Sequence, residues 1–116
     1  MRISYMGDSP YPNVSTLATI LYIQVNSSIL QIDCRERQKT VPVHIDVVQK
    51  TDGSLTEDIS QGMNYVANID IPAAKVTYNE ETGEEAVEPF VPSDFDKVKI
   101  MLWTITANTE NSSTEQ

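Results

Sequence analysis

The sequence predicts an all-β domain, either a β-sandwich or a small barrel of six to seven mostly antiparallel strands. Three observations support this fold class. The apolar runs alternate with a period of two, and no stretch keeps the 3.6-residue period of a helix. Turn residues separate the runs at short intervals. The 116 residues fit one domain, which we expect to span residues 1–106.

The first half of the chain contains three predicted strands. The runs ATILYIQV (18–25) and ILQIDCRER (29–37) are separated by Asn26-Ser27-Ser28, which predicts a hairpin. Alternation in the second run places Cys34 on the inward side, as a small buried apolar residue instead of a reactive thiol. The third run, VPVHIDVVQK (41–50), ends at the turn residues that follow it.

One segment could form a helix. In SLTEDISQGM (54–63), Ser54 and Glu57 match a capping box, and Gly62 limits the helix to about two turns. We therefore expect at most one short helix near residues 54–63.

The second half supplies three more predicted strands: NYVANIDI (64–71), KVTY (75–78) and KVKIMLWTI (97–105). In the first, alternation puts Tyr65 on the same face as Ile69 and Ile71. The last strand is apolar on both sides, with Met101, Trp103 and Ile105 on one of them. A strand of this kind needs cover on its second face, from a second layer of the chain or from a neighbouring subunit.

An acidic segment spans residues 79–96 and carries seven acids, no base and two prolines. We expect a solvated loop, with docking as the alternative, and its candidate contact residues are Glu80, Glu81, Glu84 and Glu85. Phe90 and Phe95 are either an exposed contact pair or an inward-facing cluster that fixes the loop. Residues 107–116 are expected to form a flexible polar tail.

The charge balance limits the range of partners. There are 8 Lys and Arg against 17 Asp and Glu, for a formal net charge of −9. This sign disfavours direct binding to nucleic acid and to anionic membranes. The first residues contain no apolar core of a signal peptide. We expect a protein located in a virion or in the host cytoplasm.

Residues for catalysis are scarce. One cysteine and one histidine cannot build a zinc site, and His44 is expected to point outward beside Asp46. No nucleophile elbow or phosphate loop is present. The expectation is therefore no enzymatic activity, no cofactor and no metal.

The C-terminal part of the chain resembles a group of small proteins encoded among bacteriophage structural genes. The matching positions are the Ile71-Pro72 pair, Lys75, and the closing pattern Asp96-x-Val98-x-Ile100-x-Leu102-Trp103, with an acidic loop between them. The resemblance covers residues 65–105 and implies a virion component or a morphogenesis accessory. It implies no catalytic residues.

The function expected from these observations is that of a non-enzymatic structural protein that assembles with other subunits, either copies of itself or virion proteins. One alternative is an acidic inhibitor that mimics nucleic acid and blocks a DNA-binding enzyme. Another is a receptor-binding or carbohydrate-binding β module, which would need exposed Trp and Tyr side chains. The candidate contact residues are Phe90, Phe95, Met101, Trp103, Ile105, Glu80, Glu81, Glu84 and Glu85.

Overall fold

The all-β prediction is confirmed by a computed structural model that describes residues 1–62 and 64–105. Strands make up 48% of the structure, and they form three sheets, with no closed barrel in the described part of the chain. The strands are β1 (Arg2–Met6), β2 (Asn13–Leu17), β3 (Ile20–Val25), β4 (Ser28–Asp33), β5 (Val43–Gln49), β6 (Leu55–Thr56), β7 (Asn64–Ile71), β8 (Val76–Tyr78), β9 (Glu85–Val87) and β10 (Lys99–Trp103).

The largest sheet has five strands in the order β1-β10-β7-β5-β6. All its pairs are antiparallel except β1 with β10, which run parallel from Arg2 opposite Lys99 to Met6 opposite Trp103. The first and last strands of the described chain are therefore neighbours, and β1 is an edge strand among the described strands.

The second sheet has three antiparallel strands in the order β2-β3-β4. Its β3–β4 hairpin is the one expected from the sequence, with Val25 paired to Ser28 around a tight turn. Asn26 in this turn has a φ of 55°, a left-handed conformation that asparagine tolerates better than most residues.

The two sheets pack face to face around one hydrophobic core, as in a sandwich. Alternate residues of β3 supply Leu21, Ile23 and Val25, which meet Ile69 and Ile71 of β7 among others. The core explains the period-two alternation, because only one face of each strand is removed from water.

The chain makes short helical turns at three places. The first is α1 (Cys34–Arg37), where the Asp33 side chain accepts a hydrogen bond from the Arg35 N–H. This cap ends the strand that the sequence analysis had extended to residue 37. The other two are 3-10 turns at Ile59–Gln61 and Pro92–Lys97. Only the Ile59–Gln61 turn lies in the segment where a helix was expected.

The segment 79–96 is not one loop. Its first part forms a hairpin, in which β8 and β9 pair around the turn at residues 79–84. Its second part returns to the body, where Phe90 and Phe95 join the core. The predicted flexible tail at 107–116 lies outside the described residues. No helix in the described ranges is long and apolar enough to cross a membrane.

Candidate interaction surface

The five-stranded sheet has one face against the core and one face turned away from it, which we call the outer face. Its side chains are contributed by alternate positions of β1, β10, β7 and β5, which lie side by side. They form two adjacent rows, Arg2–Lys99–Asp70–His44 and Ser4–Met101–Asn68–Asp46. All eight of these residues are exposed or half-buried, so no described element covers these rows.

A β-bulge adds an aromatic side chain to this face. The β5–β7 register shifts between Val47 and Val48, so that Val47 pairs with Ala67 but Val48 pairs with Tyr65. Because an extra residue reverses the alternation, Tyr65 lies outside the core and is 42% exposed. Strict alternation predicts Tyr65 on the inward face, and that prediction is wrong.

Tyr65 and Trp103 form an aromatic pair on the outer face. Their ring centroids lie 5.8 Å apart, and the rings are nearly parallel, with an interplanar angle of 28°. Trp103 is half-buried. The Trp103 indole N–H donates a hydrogen bond to Asn68 Oδ1. Because the Asn68 side chain is itself hydrogen-bonded to Asp46, the indole has a fixed orientation on the sheet.

A chain of hydrogen bonds runs from this pair across the strands. The Asn68 amide donates to Asp46 Oδ1 at 2.7 Å. His44 Nε2 lies 2.6 Å from the same carboxylate, and His44 Nδ1 lies 2.6 Å from Asp70 Oδ1. Both ring nitrogens donate when the imidazole is protonated. The hydrogen bond to Asp70, followed by the one to Asp46, raises the pKa of His44 above its usual value.

The outer face is close to electrically neutral, in contrast to the rest of the chain. Asp46 and Asp70 are offset there by Arg2 and Lys99, and His44 adds positive charge when it is protonated. A face with balanced charge adds no short-range repulsion between like charges at a contact, although the net charge of −9 still acts at longer range.

An open cavity of about 700 Å³ adjoins the aromatic pair. Its walls include Tyr65 and Trp103, with the amide side chains of Gln49 and Asn64 beside them. Gly7 and Thr104 line it from the end of β1 and the residue after β10. Aromatic rings next to amide groups suit ligands that are both apolar and hydrogen-bonding.

The edge strand β1 is exposed along its whole length. Ile3 is 38% exposed and Tyr5 is 55% exposed, although both point to the same side of the sheet as the core residues Ile100 and Leu102. The three-stranded sheet therefore does not cover this margin. Tyr5 contacts Tyr11 there, with ring centroids 4.6 Å apart.

The hairpin formed by β8, its turn and β9 (Val76–Val87) is the hairpin arm. Every residue from 75 to 89 is exposed. Asn79 organises the turn, because its side-chain oxygen accepts from the Glu81 N–H at 2.9 Å and its carbonyl accepts from the Gly83 N–H at 2.7 Å. Gly83 has a φ of 73°, which favours glycine.

The structure separates the predicted contact residues into four groups. Glu80, Glu81, Glu84 and Glu85 lie exposed at the hairpin arm, and Met101 and Trp103 lie on the outer face. Ile105 lies beyond the end of β10 and packs partly against the core. Phe90 and Phe95 are buried, with rings edge to face at 5.0 Å, so they are not surface contacts. Of the two arrangements expected from the sequence, this pair adopts the inward-facing cluster.

Groups with chemical reactivity are few in the described chain. Burial raises the pKa of the Cys34 thiol to about 11, which holds it in the protonated, unreactive form. His44 is outward-facing, as expected, and 53% of its side chain is exposed. Within residues 1–62 and 64–105, no three His, Cys, Asp or Glu side chains are arranged to hold a metal ion.

Comparison with known proteins gives no further assignment. No family model, curated protein or solved structure matches this chain. Inferences about function therefore depend on the chain's own surfaces.

Proposed function

We propose that this protein is a non-enzymatic structural protein that assembles with other protein subunits through the outer face of its five-stranded sheet. The observation that carries the proposal is the Tyr65–Trp103 pair, which stands on a sheet face that no described element covers. Aromatic residues that are half-exposed on a rigid sheet are typical anchors of protein interfaces.

The hydrogen bonds of the outer face support this function. Trp103 is oriented by Asn68, and Asn68 by Asp46, so the anchor loses little conformational freedom when a partner binds. Local charge balance favours contact as well. The resemblance to proteins of the phage structural region points to a virion or to the host cytoplasm as its location, with copies of itself or virion proteins as partners.

A test uses the single tryptophan of the chain. We expect Trp103→Asp to abolish higher-order assembly in mass photometry or light scattering, while the far-UV circular dichroism spectrum stays that of the wild type. The matched control is Tyr22→Asp, which replaces another half-buried aromatic residue with Asp, in the three-stranded sheet. We expect Tyr22→Asp to leave assembly intact.

Two outcomes contradict the proposal. One is a wild-type protein that stays monomeric at high micromolar concentration with a Trp103 fluorescence spectrum that does not change on dilution. The other is a Trp103→Asp variant that simply unfolds, combined with wild-type assembly that does not involve Trp103.

A second candidate function is a carbohydrate-binding module, which is favoured by the same aromatic pair beside Gln49 and Asn64. Sugar rings stack on aromatic side chains while amides bind their hydroxyl groups. Titration of Trp103 fluorescence with oligosaccharides tests this function, with Tyr65→Ala as the variant that loses binding. A flat titration with all sugars rules it out.

The inhibitor that mimics nucleic acid is supported less well by the structure. Such a protein presents carboxylates along one rigid face, whereas four glutamates of this chain lie on an exposed hairpin with no second layer.

A further inference from the structure

We infer that two copies of this chain pair edge to edge through β1, antiparallel and about a two-fold axis at Ser4, so that their five-stranded sheets become one continuous sheet. The inference deepens the proposed function by naming one partner, a second copy, and the register in which it binds.

The first support is the direction of the backbone groups of β1. The Arg2 N–H donates to Val98 O at 2.9 Å, and the Thr104 N–H donates to Met6 O at 3.1 Å. In a parallel ladder, alternate residues of a strand bond to the same neighbour. Arg2, Ser4 and Met6 thus bond to β10, and the N–H and C=O groups of Ile3 and Tyr5 point to the free edge.

The second support is that these free groups match their own two-fold copy. Antiparallel pairing about Ser4 puts Ile3 opposite Tyr5 of the second copy, and Tyr5 opposite its Ile3. In an antiparallel ladder, alternate opposed residues exchange N–H···O bonds in both directions. The residues that would do so, Ile3 and Tyr5, are those whose backbone groups are available. Other two-fold registers exist, but the one at Ser4 is the register that sets all five residues of β1 opposite a residue of the other β1.

The third support is the side chains. The pairing brings Ile3 of one copy against the ring of Tyr5 of the other, on the margin that the three-stranded sheet leaves open. Contact there would bury both side chains, which are 38% and 55% exposed in a single copy. Apolar and aromatic residues opposite each other stabilise a strand pair. Arg2 is the one charged residue of RISYM, and it would lie opposite Met6, so no like charges meet.

The fourth support is that β1 has few of the features that keep an edge from pairing, since its one charged residue is Arg2 at the start of the strand. Protected edges carry lysine, proline, inward charges or a bulge. β1 has five residues, continuous pairing to β10 and no proline. The opposite edge, β6, has only two residues and offers little to pair. Within the five-stranded sheet, β1 is therefore the edge open to a partner strand.

Cysteine cross-linking tests the register. Opposed residues of a non-hydrogen-bonded pair have Cα atoms about 4.5 Å apart, close enough for a disulfide. We expect Ser4→Cys to give a disulfide-linked dimer under mild oxidation. Arg2→Cys is the matched control, since it is exposed on the same strand but lies opposite Met6, and it should not cross-link. The native Cys34 is buried and does not interfere.

Charge variants provide a second measurement. Ile3→Lys with Tyr5→Lys sets like charges opposite each other, and we expect dimer affinity in sedimentation velocity to fall roughly tenfold or more. Ile3→Lys with Tyr5→Glu removes the same apolar side chains but places opposite charges together, and we expect dimerisation to recover. Circular dichroism of each variant confirms the fold.

The outcomes separate this inference from the proposed function. If Ser4→Cys and Arg2→Cys cross-link equally, or if neither does while the wild type stays monomeric, the β1 pairing is wrong. Trp103→Asp should leave the Ser4→Cys dimer intact, because Trp103 is on the outer face and not at the edge. Loss of larger assemblies with the cross-linked dimer retained supports both proposals.

Discussion

His44 is the one histidine of the chain, and both its ring nitrogens lie beside carboxylates. Its imidazole can therefore be followed by NMR without assignment of other histidines. We expect its pKa to lie above the usual value of about 6.5. Asp70→Asn should lower the pKa more than Asp46→Asn, because the Asp70 hydrogen bond is the largest cause of the shift. A wild-type pKa at or below 6.5 contradicts this arrangement.

The same shift predicts a pH dependence of stability. A pKa that is higher in the folded state than in the unfolded chain gives a contribution that is complete below the unfolded pKa. This contribution is lost as the pH rises through the folded pKa. We expect the difference in melting temperature between wild type and His44→Gln to shrink above about pH 6.5. A difference that grows with pH would have the wrong sign. The effect is small, since the ring is half-exposed.

Single residues also show where reasoning from the sequence succeeds. Alternation alone correctly set Cys34 inside and His44 outside, because His44 lies in the regular strand β5 and Cys34 directly follows β4. Tyr65 was misplaced because a bulge reverses alternation. The break is visible in the burial of two adjacent pairs, Val47-Val48 and Val66-Ala67, since strict alternation buries only one residue of each pair. The Tyr65–Trp103 contact could not be predicted without that break.

Among the elements, the hairpin arm and the segment that follows it differ in energetic importance. Replacing Glu80, Glu81, Glu84 and Glu85 with Gln should change the melting temperature by less than about 5 °C, because exposed charges contribute little to stability. Phe90→Ala, only a few residues later, removes a ring that is 1% exposed. We expect Phe90→Ala to cost about 3–5 kcal/mol of unfolding free energy.

Thermal and denaturant unfolding of these two variants make the comparison. If the glutamine variant is as destabilised as Phe90→Ala, the glutamates of the hairpin arm are part of the fold and not a solvated tip.

Strong apolar runs were found from the sequence, and so was the exposed strand β8, but β1, β2, β6 and β9 were not. The runs that became β3, β5, β7 and β10 bury one face in the core, so their alternation is clear. β1 and β2 are largely exposed, and they are strands because β10 and β3 supply hydrogen-bonding partners. Pairing with a neighbour leaves little trace in composition. The edge strand β1 could therefore be identified from the structure but not from the sequence pattern.

At the scale of the whole molecule, the response to salt distinguishes two kinds of association. Each copy carries a net charge of −9, so self-association is opposed by long-range repulsion that salt screens. We expect the dimer to tighten when ionic strength rises from about 0.05 M to about 0.5 M. Docking of the hairpin arm on a basic protein should weaken over the same range.

The control for this measurement is the glutamine variant of the hairpin arm. It removes four negative charges from each copy and should reduce the salt dependence of dimerisation without abolishing it. A dimer that dissociates as salt rises would show that ion pairs hold it together, contrary to the backbone and apolar contacts at β1.

The pairing of β1 with β10 also determines when this part of the sheet can form during translation. β10 is the last strand of the described chain, so β7 has no neighbour on that side until nearly all described residues have been translated. β1 is translated before the other described strands, but it cannot form this pair until its parallel partner β10 has been translated. Before its own β10 has been translated, a nascent β1 can pair with the β10 of a completed chain, which exchanges strands between copies. Polysomes, where many chains grow close together, are where such an exchange would begin.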